Sequence, residues 1–120
     1  MANTILFVDD DRDLREIVTE QLSASGYAVD VADDGEMAID KLRQQEYAVV
    51  LLDITLPQKT GFDVLRFTKD QSLNCKVIML TGMVGLSVAI ESMKLGAADY
   101  ITKPYNMDYL LSSIKRVLEK

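Results

Sequence analysis

The sequence predicts an α/β fold: a five-stranded parallel sheet, doubly wound with helices on both faces, whose strand order is not readable from sequence alone but suits 2-1-3-4-5. Three observations predict it. Short apolar runs alternate five times with segments whose apolar residues recur at helical spacing, the pattern of strands joined by crossover helices. The run Ala48 to Leu52 is apolar without a break, as in a central strand covered on both faces. The run Ala28 to Ala32 alternates around Asp30, as an edge strand does, and an edge position for the second strand suits this order.

Taken in order, Ile5 to Val8 reads as a buried strand that stops at Asp9, Asp10 and Asp11. Leu14, Ile17, Val18 and Leu22 mark the apolar face of a first helix, capped by Asp11 and ended near Gly26. After the edge strand, Asp34 caps a helix carrying Met37, Ala38 and Leu42. The central strand Ala48 to Leu52 ends at Asp53, and Thr60-Gly61-Phe62-Asp63 reads as a capping box opening a third helix. Val77 to Leu80 is a fourth strand, ending at Thr81 and Gly82. The helix after it carries Val88, Ala89 and Met93 and stops at Gly96. Ala98 to Ile101 is the last strand, closed by Thr102, Lys103 and Pro104. Asn106 then caps a final helix with Leu110, Ile114, Val117 and Leu118 on its apolar face.

No linker, repeat or low-complexity tract interrupts residues 1–120, so a single domain is expected. Apolar runs are far shorter than the roughly 20 residues a spanning helix needs, and no leader pattern precedes Thr4. A lone cysteine, Cys75, forms no internal disulfide and fits a reducing compartment, so the cytoplasm is expected. Cys75 itself reads as a small packing residue, and the six methionines mostly as core filler. The net charge of −6 argues against direct nucleic-acid binding, which needs a concentrated basic face. The chain has no histidine. That removes histidine metal sites, Ser-His and Cys-His nucleophile pairs, and any phosphohistidine on this chain.

Open parallel sheets bind ligands beyond the carboxyl ends of their strands, near the switch in winding direction. Asp9, Asp10, Asp53, Thr81 and Lys103 all follow strands that are neighbours in the predicted order, so they share one rim. Three carboxylates there repel one another, and a hard divalent cation relieves the repulsion. Few protein ligands are on offer, so water would complete the shell, which favours Mg²⁺ (or Mn²⁺) over a Ca²⁺ cage. A cation and a lysine are what a phosphoryl group in transfer requires. Asp53 is then the nucleophile, Thr81 a hydroxyl donor to the phosphoryl group, and Gly82 keeps the approach open.

Four segments carry a specific resemblance: ILFVDDD, VVLLDITLP followed by Gly61, KVIMLTG, and GAADYITKPY. In this order and spacing the chain resembles the receiver domain of bacterial response regulators, from Thr4 to Leu118. The resemblance implies that Asp53 is the phosphoacceptor and Asp10 a direct Mg²⁺ ligand. Asp9 is then mainly a water-mediated ligand, and the carbonyl of Thr55 completes the shell. It implies that Lys103 pairs first with the acids and then with the phosphoryl group, and that the Lys103–Pro104 bond is cis. It further implies that phosphorylation draws Thr81 inward and Tyr100 after it. That movement remodels the surface of the fourth helix, fifth strand and fifth helix. The donor would be a phosphohistidine on a histidine kinase or histidine phosphotransfer protein. The output domain or target is unspecified, and a homodimer through the same surface is an expectation that no residue specifies. The residues flanking the attacking water would be Thr55 and Met83. Neither is an acid or amide, so slow self-dephosphorylation is expected.

Plainer roles compete. Asp11 is a helix cap, whereas Asp9 and Asp10 at a strand end have no capping to do. Thr81 could merely end its strand, Lys103 could be a solvated charge, and Tyr100 could be packing. Met83, Val84 and Leu86 suit core packing as well as a partner surface. A flavin carrier on this fold needs a glycine- and hydroxyl-rich phosphate loop where Asp9 to Asp11 stand. A phosphatase of the haloacid dehalogenase type carries its nucleophile in a DxD after the first strand, and Asp53-Ile54-Thr55 lacks the second acid. A pseudo-receiver acting only by protein contacts would not need the complete set of acids, threonine and lysine.

Overall fold

The computed structural model of the chain describes residues 4–54, 56, 60–82 and 86–119. Unbroken apolar runs build the centre of a parallel sheet. β1 (Thr4–Val8), β2 (Ala28–Ala32), β3 (Val49–Asp53), β4 (Lys76–Thr81) and β5 (Asp99–Thr102) lie in the order β2-β1-β3-β4-β5. The helices are α1 (Arg12–Ala24), α2 (Gly35–Gln44), α3 (Gly61–Asp70), α4 (Leu86–Lys94) and α5 (Met107–Leu118).

Side chains alternate across each strand, and the two faces make two cores. Ile5, Phe7, Val49, Leu51, Ile78, Leu80 and Ile101 pack against Val18 and Leu22 of α1 and Leu110, Ile114 and Val117 of α5. Leu6, Val8, Val50, Leu52, Val77 and Met79 pack against Ala38, Ile39 and Leu42 of α2 and Val64 and Leu65 of α3. Val88 of α4 joins that second core. Each large aliphatic side chain buried this way contributes roughly 1.5–3 kcal/mol. Burying both faces of the middle strands is what forces helices onto both sides.

The helix ends follow the predicted chemistry. Asp11, Asp34 and Asn106 each accept an amide of the first turn, and Thr60 with Asp63 forms a reciprocal capping box. Gly26 and Gly96, past the ends of α1 and α4, take φ of 97° and 99°.

Three expectations need correction. Ile17 is 58% exposed, because successive helical residues point about 100° apart and Val18 already faces the sheet. Met37 and Met93 are 38% and 50% exposed, so core filling describes Met79 but not these two. The strands also run further than their apolar stretches: Asp53 pairs with Leu80 and Thr81 with Thr102, both inside the sheet. Backbone pairing continues past the point where apolar character stops. Among the described residues no helix is long and apolar enough to cross a membrane.

Candidate functional site

The sheet order brings together the ends of β1, β3, β4 and β5. The chain leaves β1 into Asp9, and Asp53 and Thr81 are the last residues of β3 and β4. Beyond β5, the Lys103 amide donates to the Thr81 carbonyl at 2.8 Å, which ties the lysine backbone to the neighbouring strand.

Lys103 then bridges two acids. Its Nζ donates to Asp9 Oδ2 at 2.8 Å and to Asp53 Oδ2 at 2.9 Å. Asp9 is 0% and Asp53 3% exposed, so both carboxylates sit out of water beside one cation. Burial alone pulls the Lys103 ammonium down; the two hydrogen bonds and the two negative charges outweigh it and hold the group above its ordinary value. The lysine therefore stays charged.

Asp9 is tied at every polar atom. Its amide donates to the Ala32 carbonyl at 3.1 Å, and its carbonyl accepts from Arg15 Nη1 at 2.6 Å. Oδ1 accepts the Asp11 amide at 2.9 Å, and Oδ2 is taken by Lys103. Asp10, by contrast, is exposed. One oxygen from each of Asp9, Asp10 and Asp53 falls within 4.8 Å of the others. That donor set is three hard carboxylates, two buried and one open to water. It fits a small divalent cation that keeps part of its hydration shell.

The remaining predicted residues fall around this rim. Thr81 is fully buried. Tyr100 is half-buried at the position of β5 paired with Met79, and burial raises its phenol. The Lys103–Pro104 bond is cis. Gly82 is exposed, and a Cβ there would meet nothing within 4 Å, so its backbone does not require glycine. Gly61 is different: a Cβ would run into the Asp53 carbonyl oxygen and stand 2.6 Å from the Ile54 Cα. Its amide also donates to the Ile54 carbonyl at 2.8 Å. The start of α3 thus lies directly on the backbone that carries Asp53. Thr55 and Met83 lie outside the described residues, as does Val84.

Sequence patterns did not single out Arg15, Tyr105 or the network at Asp99. The Tyr105 hydroxyl is buried without a hydrogen-bond partner among the described residues, and burial pushes its pKa up to about 12. Asp99 Oδ2 accepts from Ser113 at 2.5 Å and from Arg116 at 2.6 Å, stapling α5 to β5. Arg15 holds an ordinary polar position of an amphipathic helix, and only its contact with the Asp9 carbonyl distinguishes it.

Comparison with known proteins gives a consistent picture. A family model described as the response regulator receiver domain matches residues 5–115. The chain is 39% identical over 118 residues to the transcriptional regulatory protein CpxR of Escherichia coli K12, covering 98% of this chain and 50% of that protein. It is 36% identical over 111 residues to the transcriptional regulatory protein DltR of Streptococcus agalactiae, covering 92% of this chain and 50% of that protein. The chain thus spans about half the length of these curated relatives. It is also similar to the solved CheY-like response regulator receiver domain protein from Methanospirillum hungatei. The TM-score is 0.94 and the identity 32%, over 99% of this chain and 95% of that one.

Proposed function

Because this chain belongs to the response regulator receiver domain family, we propose that it is a signalling switch that takes a phosphoryl group onto Asp53. The observation that carries the proposal is the single ammonium of Lys103 held between Asp9 and Asp53, with Asp10 alongside at the solvent edge. In the proposed transfer, a carboxylate oxygen of Asp53 forms a bond to phosphorus as the nitrogen–phosphorus bond of a phosphohistidine breaks. The bonding electrons, and then a proton, go to the departing imidazole nitrogen. The donor sits on a histidine kinase or histidine phosphotransfer protein, since this chain has no histidine.

Asp10, Asp53 and the carbonyl of Thr55 would hold Mg²⁺ (or Mn²⁺), with Asp9 acting mainly through water. Bound there, the ion would neutralise charge gathering on the phosphoryl oxygens. Lys103 would give up a carboxylate partner and pair with the phosphoryl group, next to Gly82. The Thr81 hydroxyl would donate to a phosphoryl oxygen, and Tyr100 would follow Thr81. That movement would shift the population of the α4–β5–α5 surface toward an arrangement read by the output element, or used for homodimer contact. We assign this role to residues 1–120 acting as one receiver domain, working in the cytoplasm. The lone, half-buried Cys75 supports a reducing compartment. The domain is a phosphoacceptor that assists its own phosphorylation and slow dephosphorylation, and not an enzyme acting on a separate substrate.

Incubation with Mg²⁺ and acetyl phosphate tests the proposal. Intact-mass analysis should show the gain of one phosphoryl group, absent in Asp53→Asn. A wild-type protein that gains no mass would overturn the proposal and favour a domain working through protein contacts alone.

A further inference from the structure

Three residues, 9–11, join β1 to α1, and the peptide unit that leads into each of them is hydrogen-bonded. The Asp9 amide on the Ala32 carbonyl holds the first, and the Asp11 amide on Asp9 Oδ1 holds the third. The middle unit, between Asp9 and Asp10, is held through its carbonyl oxygen by Arg15 Nη1 at 2.6 Å, its one tie among the described residues. A peptide unit is planar, so fixing that oxygen also fixes the direction in which the Asp10 Cα departs. Asp10 is exposed. The short, charge-assisted bond from Arg15 thus anchors the backbone from which the outermost carboxylate projects.

We infer that Arg15 is a positioning residue for the cation site: by gripping the Asp9 carbonyl it aims the Asp10 carboxylate at the ion. The inference rests on the proposal that the three acids hold a divalent cation. It also carries an unusual sign. Arg15 is positive, and judged by charge alone its removal should tighten cation binding. If its grip on the carbonyl dominates, removal should weaken binding instead.

The experiment is a calorimetric Mg²⁺ titration of the wild type, Arg15→Met, Arg15→Lys and Arg12→Met, with each fold checked by circular dichroism. Arg12 provides the charge control. It is exposed at the start of the same helix and pairs only loosely with Glu16, at 3.6 Å. Arg15→Met should weaken Mg²⁺ binding roughly ten-fold, as loss of a group that orients a metal ligand typically does. Arg12→Met should leave binding unchanged or tighter, and Arg15→Lys should lose affinity because its ammonium cannot reproduce the guanidinium reach. Equal or tighter binding in Arg15→Met overturns the inference. Should that variant not fold, wild-type affinity in Arg15→Lys overturns it in turn. If the wild type itself binds no Mg²⁺, the cation site fails, and the role of Arg15 falls with it.

Discussion

Lys103 Nζ stands 2.9 Å from Asp53 Oδ2 across 50 positions of chain, with Asp9 on its other side. Removing the lysine leaves two buried carboxylates facing each other. Lys103→Met should lower stability by about 3 kcal/mol in chelator, as expected for a broken buried pair. Added Mg²⁺ should recover a larger share of stability than in the wild type, because the ion supplies the missing positive charge. Urea midpoints with and without Mg²⁺ check this; equal Mg²⁺ increments in the two proteins would contradict it.

Two glycines beside the site should behave oppositely. Gly61→Ala drives a methyl group into the backbone at Asp53 and Ile54, so it should destabilise by about 2–4 kcal/mol and impair phosphorylation. Gly82→Ala meets open space and restricts the unfolded chain, so it should be neutral or stabilising by up to about 1 kcal/mol. Paired thermal melts and acetyl phosphate labelling separate the two.

Alkaline pH should unfold the protein through several groups acting together. Burial raises Cys75 from 9.0 to about 11, and raises Tyr47 and Tyr105 from 10.0 to about 12. Lys103 is held above its ordinary value as well. A raised pKa means the folded state keeps its proton where the unfolded state has lost it, so stability is complete below the unfolded values and falls as pH rises. The loss should begin near 9 for Cys75, near 10 for the tyrosines, and end as the folded pKa values of about 11 and 12 are passed. Each group costs roughly 1 kcal/mol per pH unit inside its window. Urea midpoints between about pH 8.5 and about pH 11 should show a steep fall, and Tyr47→Phe, which also gives up its hydrogen bond to Asp30, should flatten the slope.

The acyl phosphate should be long-lived. On the proposed reading Thr55 and Met83 would flank the attacking water, and neither side chain is a carboxylate or amide that could orient it. Met83→Glu should shorten the half-life several-fold, measured by decay of the phosphorylated mass after the donor is removed. Loss of wild-type label within seconds at neutral pH would contradict this.

Much of the molecule was legible in one dimension. Helix caps at Asp11, Asp34, Thr60 and Asn106 are local chemistry, decided within four residues, and each was found where its side chain implied. The acids, threonine and lysine at strand ends were legible because an abrupt change from apolar to charged residues marks where a buried strand reaches solvent. Ile17, Met37 and Met93 were not, because an apolar residue at the border of a helical stripe turns in or out according to its neighbour's packing.

The sequence by itself determined the alternation of strands and helices, the burial of the central strands, and the residue types at the rim. All of these follow from local periodicity and capping. The tertiary structure alone decided which oxygen of Asp9 faces Lys103, that Gly61 presses on the Asp53 backbone, and that Arg15 reaches back to the Asp9 carbonyl. These are contacts between groups whose relative placement depends on how helices settle on the sheet. Hydrophobic burial chooses that settling without regard to direction, whereas a hydrogen bond needs the final distances to a few tenths of an ångström.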